Sequence, residues 1–201
     1  MKTEQFIVNS NGKGINEALS ATETLGTEAG LDKKSFLQLR LLAEELFGLL
    51  KGIAGKVEAT YQAESEGKNF EIRMRSEVNI TDKMREQFLQ ASTSGKNSAS
   101  TGFMGKIKVL IADIMLSYKQ NLPYAMINTV SSMPMGGTAG EIASIWTLSD
   151  YRREVQVNVS KSVEADEAWD ELEKSIIANI ADDIKVRIVG ANVEIDIIKT
   201  F

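Results

Sequence analysis

Apolar positions recur along this chain with two different periods, and the switches between them predict its elements. Gln5–Val8 reads as a short strand closed by a turn over 9–14. From Ile15, the positions Ala18, Leu19, Thr22 and Leu25 lie on one face of a helix that stops at Gly26, with Gly30 closing the connection. Asp32 offers an N-cap for a second helix from Lys33 to Lys51. Its apolar residues, Phe36, Leu37, Leu39, Leu41, Leu42, Ala43, Leu46, Phe47, Leu49 and Leu50, run nearly all round, so this helix is expected at the centre of the core. The period then drops to two. Val57, Ala59, Tyr61 and Ala63 alternate, as do Phe70, Ile72 and Met74 with Glu71, Arg73 and Arg75 opposite; Glu66-Gly67-Lys68-Asn69 between them predicts an antiparallel hairpin.

Thr81 or Asp82 caps a short helix through Leu89, a Ser/Thr/Gly-rich connection follows, and Phe103, Ile107, Leu110, Ile111, Ile114, Met115 and Tyr118 return to helical spacing. Between Gln120 and Ser149 the pattern is broken by Pro123, Pro134, Gly136, Gly137 and Gly140, so 119–150 reads as an irregular insertion or lid. Val155, Val157 and Val159 alternate as a strand. Trp169, Leu172, Ile176, Ile177 and Ile180 predict one amphipathic helix, and a second hairpin turns at Gly190-Ala191-Asn192 between Ile184, Val186, Ile188 and Val193, Ile195, Ile197. No fixed-period repeat shows in the sequence. The expected fold is α+β, a two-layer α/β sandwich with helices on one face of a mixed, mostly antiparallel sheet. Residues 1–118 form the body of that sandwich, and 151–201 either complete its sheet or make a small lobe.

Composition removes several chemistries. The chain has 201 residues, 43% of them hydrophobic, with no Cys and no His, so thiol nucleophiles, a Ser-His-Asp triad and an ordinary zinc site are excluded. A net charge of −5 without basic clusters argues against nucleic acid and against an anionic membrane as partners. The start Met1-Lys2-Thr3-Glu4-Gln5-Phe6 lacks the apolar run of a signal peptide and no stretch of about eighteen apolar residues occurs, so a cytoplasmic protein is expected.

The connection from Ser92 to Lys106, STSGKNSASTGFMGK, is dense in residues that cradle phosphate. It is not a P-loop: the pattern asks for Gly where Gln90 stands and for Ser or Thr where Asn97 stands, and Met84–Gln90 before it reads as helix.

The order strand, helix, long helix bearing LLAEELFGLL after the Gly30-Leu31 turn, hairpin, short helix, Ser/Gly loop, helix resembles the ATP-binding module of histidine kinases and anti-sigma-factor serine kinases, the Bergerat or GHKL-type fold. The resemblance runs from Gln5 to Tyr118. It implies that a Glu of the long helix orients the attacking water or hydroxyl, and Glu44 and Glu45 stand where that acid belongs. Neighbouring helical residues point about 100° apart, so at most one of them can face a pocket. The family's Asn four residues on, which holds Mg²⁺, is replaced by Gly48 or Leu49, neither of which offers the oxygen that Mg²⁺ needs. In place of the adenine-binding Asp-x-Gly turn stand Glu77 and Asn79, with no glycine. The glycine-rich helix entry survives as Gly102 and Gly105, and the resemblance implies nucleotide or anion contacts from these together with Lys96, Ser98, Thr101 and Lys106.

The function expected on these grounds is that of a regulatory module that binds a protein partner and has lost phosphoryl transfer, with no cofactor. Two alternatives stay open: an active serine kinase or ATPase using ATP and Mg²⁺, with Glu44 or Glu45 as base, and a sensor of a small ligand or anion in the same pocket. Met126, Met133 and Met135 with Ile127 and Pro134 make Ala125–Gly140 a candidate partner contact, and a homo-oligomer is open as well.

Overall fold

The computed structural model describes residues 1–51, 57–77, 107, 111 and 143–201. Their order is β1 (Phe6–Asn9), α1 (Ile15–Glu28), α2 (Lys33–Lys51), β2 (Glu58–Glu66), β3 (Asn69–Glu77), β4 (Ala143–Thr147), α3 (Leu148–Asn158), α4 (Val163–Lys174), α5 (Ile176–Ile180), β5 (Asp183–Val189) and β6 (Asn192–Thr200). The fold is an α+β sandwich of two layers. Among the described residues six strands form one sheet in the order β1-β2-β3-β6-β5-β4, and all five of its ladders are antiparallel, in line with the mostly antiparallel sheet expected. Because β6 pairs with β3, the C-terminal residues complete the sheet and do not form a lobe of their own.

Local chemistry sets the boundaries of the first two helices. α1 ends in a Schellman arrangement: the Gly30 N–H donates to the Thr27 carbonyl and the Leu31 N–H to that of Gly26, with Gly30 at φ 68. α2 starts on Asp32, whose Oδ1 accepts the Ser35 N–H at 2.9 Å. That backbone hydrogen bond, with a weaker one from Lys34, holds the Asp32 carboxyl below its ordinary value. Leu39, Leu42, Ala43, Leu46, Phe47, Leu49 and Leu50 of α2 are buried. The helix is not enclosed on every side, as its sequence led one to expect: Leu37 is 48% and Leu41 37% exposed.

One continuous core lies between helices and sheet. On β2 and β3 it takes Ala59, Tyr61, Ala63, Phe70, Ile72 and Met74, every second residue; Ile184, Val186, Ile188, Val193, Ile195 and Ile197 do the same on β5 and β6. α1 lies against β1 and β2, and α3 against β4 and β5. Ile107 and Ile111, from the predicted Phe103–Tyr118 stripe, are helical and buried; the remainder of that stripe, the Thr81–Leu89 helix and Ala125–Gly140 lie outside the described residues.

Three expectations for the C-terminal part need correction. The segment read as an insertion over 119–150 contains strand β4 and the start of α3. Val155, Val157 and Val159, read as a strand, belong to or follow α3. Leu148 and Val155, seven apart, are its buried face, and Val157 is 59% exposed, so the two-residue alternation of valines misled while the helical spacing carried the burial. The decisive local signal is Thr147, which accepts the Asp150 N–H at 3.0 Å and donates its hydroxyl to Asp150 Oδ2 at 2.8 Å. Finally, the single helix predicted around Trp169–Ile180 is two helices. Ser175 takes extended angles and its hydroxyl accepts the Ala178 N–H at 3.2 Å, a new N-cap where the first helix stops. Replacing Thr147 by Ala is expected to lower the stability by about 1 kcal/mol, read from urea unfolding at an unchanged m-value.

The sheet also reveals a relation that no fixed period announces. β1-α1-α2-β2-β3 and β4-α3-α4/α5-β5-β6 follow the same course, and β3 and β6 meet at the middle of the sheet. The hairpins correspond residue for residue: Tyr61↔Met74 matches Ile184↔Ile197, Ala63↔Ile72 matches Val186↔Ile195, and Ser65↔Phe70 matches Ile188↔Val193. Both turns use a glycine with positive φ, 61 at Gly67 and 59 at Gly190, which an L side chain adopts only with strain. The sequence echoes this in Gly67-Lys68-Asn69-Phe70-Glu71-Ile72 and Gly190-Ala191-Asn192-Val193-Glu194-Ile195. A pseudo-twofold axis therefore runs through the pair Arg73↔Asp196, equivalent positions 123 residues apart that face each other across the β3–β6 ladder.

Candidate functional site

α2 carries the acids singled out in the sequence. Glu44 sits one helical turn after Arg40 and accepts its Nε–H at 2.9 Å, while Arg40 Nη1 reaches Glu23 of α1. The two carboxylates and the guanidinium thus tie α1 to α2 on the outer side of the helix pair. Glu45 is half-buried and has no such partner among the described residues. Gly48, four residues after Glu44, is exposed, and a Cβ there would meet nothing within 4 Å. Leu49, four after Glu45, is 1% exposed and fixed in the core. Outward from the same helix project Leu37 and Leu41, next to Arg40.

Glu77 stands elsewhere. Along β3 the even-numbered residues Phe70 to Ser76 are buried towards the helices, so Glu71, Arg73, Arg75 and Glu77 occupy the other face of the sheet. The structure does not bring Glu77 together with Glu44 or Glu45. Asn79, Lys96, Ser98, Thr101, Gly102, Gly105 and Lys106 lie outside the described residues.

What Glu77 does line is a hollow of about 430 Å³ on the sheet face turned away from the helices, shared by β1, β2, β3, β5 and β6. Glu58, Thr60, Arg75, Arg187, Asn192 and Glu194 supply its polar groups, and Ile7 and Val189 its apolar ones. Register explains the gathering. Thr60 pairs with Arg75, Arg75 with Glu194 and Glu194 with Arg187, so one row crosses four strands with its side chains on one face. Glu194, with a side chain 13% exposed, takes Arg75 Nε on one oxygen and Arg187 Nη1 on the other. One row further in, Arg73 Nε donates to Asp196 at 2.8 Å and another of its N–H groups to Glu71. Burial pushes the Asp196 carboxyl above its ordinary value, although the hydrogen bond from Arg73 works against that.

Sequence reasoning placed Arg75 on the polar side of its strand but assigned no role to Glu58, Arg187 or Glu194. The signal that could have found them is the shared Gly-x-Asn-x-Glu-Ile motif, which fixes Glu194 opposite Arg75 once the two hairpins are set side by side.

The chain matches no protein-family model, no curated protein and no solved structure. Among the described residues no group of three or more acidic side chains is arranged to hold a metal ion, and no helix is long and apolar enough to cross a membrane.

Proposed function

We propose that this chain is a regulatory module that binds a protein partner, built on a sandwich like that of the histidine-kinase and anti-sigma ATPases and without phosphoryl transfer of its own. The observation that carries this reading is the outer side of α2. Two leucines stand exposed there beside an ion-paired cluster, and the acid positions lack what the chemistry needs: Glu44 is engaged by Arg40, and the residues four further on are Gly48 and Leu49. Phosphoryl transfer depends on a metal that neutralises the phosphates, and a carboxylate placed against phosphate without that ion adds only like-charge repulsion. Exposed leucines on a rigid helix are the material of helix-in-groove recognition. The cytoplasm is the compartment proposed, in keeping with the complete lack of Cys.

Thermal melting with nucleotide tests this. A ligand that binds only the folded state at a hundredfold excess over Kd stabilises by about 2.7 kcal/mol, which moves a melt by several degrees. Millimolar ATP with Mg²⁺ is expected to leave the melting temperature unchanged. A rise of several degrees that Lys96→Ala or Gly105→Val abolishes would replace this reading by that of an active ATP-binding kinase or ATPase. A rise that persists without Mg²⁺ would replace it by that of an anion sensor.

A further inference from the structure

The hollow on the polar sheet face is separate from α2, and what it can bind does not depend on the function proposed above. We propose that it binds a small extended zwitterion, the carboxylate on Arg75 and Arg187 and the ammonium on Glu58 and Glu77. Glu194 is the organiser. It accepts one N–H from each arginine and is itself largely shielded from solvent, so both half-exposed guanidinium groups are held in the lining of the hollow while most of their N–H donors stay unspent. The Arg75-Glu194-Arg187 row carries a net charge of +1. Two residues nearer the strand ends, Glu58 and Glu77 lie on adjacent strands in the next row, and neither has an ion-pair partner among the described residues. Like charges side by side on one sheet face repel, and an ammonium between them relieves this.

The charge pattern selects its ligand by sign and by length. Polyanions meet Glu58 and Glu77, and simple cations meet the two arginines. Only a molecule carrying both charges satisfies both rows. Rows two residues apart along a strand are separated by about 7 Å, which sets the distance between carboxylate and ammonium. Ile7, 64% exposed, and Val189 flank the hollow and offer contact to a methylene chain. A volume of about 430 Å³ lies within the range of small-molecule sites. Amino acids with a terminal side-chain ammonium, free or as the last residue of a peptide, share this chemistry.

Calorimetric titration of the full chain with 6-aminohexanoate at low ionic strength tests the assignment, with hexanoate, hexylamine and γ-aminobutyrate as ligands that lack one charge or the length. The expected result is saturable binding at least tenfold tighter than that of any of the three, equivalent to about 1.4 kcal/mol. Glu77→Gln at the exposed strand end, and separately Arg187→Gln, are expected to weaken it by a similar factor, each in protein shown to be folded by its melting curve. Lysine and a peptide ending in lysine separate the two sources, and tight binding of either supports the site. No saturable binding of 6-aminohexanoate, equal affinity for hexanoate or hexylamine, or an affinity unaffected by Glu77→Gln would overturn it.

Discussion

Tyr61→Ala is expected to destabilise the protein by about 4 kcal/mol, in the range found when a large aromatic side chain is deleted from a close-packed core. Tyr61 is fully buried on β2, with its ring 4.7 Å from that of Phe47 on α2 and its hydroxyl 2.7 Å from Thr22 on α1. One side chain therefore joins three elements, and the cavity left by its removal opens where both helices meet the sheet. Tyr61→Phe separates packing from polarity. Thr22 gives its proton to the Ala18 carbonyl at 2.8 Å, so Tyr61 is the donor in the bond between the two hydroxyls. Its loss leaves Thr22 still partnered, and a cost of about 1 kcal/mol is expected.

The same pair gives a pH dependence. Burial holds the Tyr61 phenol well above its ordinary 10.0. A group whose pKa is raised by folding contributes stability that is present below the unfolded value and lost as the pH climbs towards the folded one. The wild type is thus expected to lose stability above about pH 10 relative to Tyr61→Phe, so the gap between them narrows as the pH rises. A gap that stays constant through that range, followed by chemical denaturation, would show that the phenol is not shielded from water.

Arg73→Ala carries the second large effect. Asp196 is 5% exposed, and Arg73 Nε is its hydrogen-bond donor across the pseudo-twofold axis. Removing the cation strands a buried carboxylate, at an expected cost of about 3 kcal/mol, the low end for a broken buried pair because the Arg73 side chain still reaches solvent. Burial already raises the Asp196 pKa, and losing Arg73 raises it further. The linkage has the same sign as for Tyr61: stability is lost as the pH rises from the ordinary 3.8 through the folded value, and below 3.8 the neutral carboxyl carries no penalty. Arg73→Ala should therefore approach the wild type in acid and fall away from it near neutral pH. Arg73→Leu with Asp196→Leu, which removes both charges, should recover most of the loss, since an apolar pair needs no partner charge. A double variant as unstable as Arg73→Ala would show that the ion pair is not the source of the effect.

That pair also breaks the symmetry of the sheet at its centre. At a true twofold axis the facing residues would be identical, and a charge there would meet its own kind. In this chain the equivalent positions are Arg and Asp, and the axis is held by attraction.

Much of the fold was legible along the chain because burial on one side imposes a period. The alternation through Tyr61, Ala63, Phe70 and Ile72, and again through Ile184, Val186, Val193 and Ile195, determined both hairpins, their glycine turns and the face they bury. The sequence likewise determined α1 and α2 and the Asp32 cap, and it excluded thiol and imidazole chemistry outright. But α1 runs through Gly26, where it was expected to stop, to Glu28, because the glycine there makes room for Leu39 of α2 and the turn falls at Gly30. Tertiary structure decided the rest. Three valines spaced by two satisfy a strand and, at Val155 alone, a helix; only the Thr147 cap and the packing of Leu148 chose between them. Leu37 and Leu41 look like core in a sequence that is apolar all round, because a pattern tells which residues prefer burial and not how many neighbours arrive to bury them. Glu77 was singled out through the resemblance as a candidate nucleotide contact; which face of the sheet it occupies was decided by strand parity, which turns it away from the helices. The row from Arg75 through Glu194 to Arg187 joins residues more than a hundred positions apart, and its members became neighbours only when β6 took its place between β3 and β5.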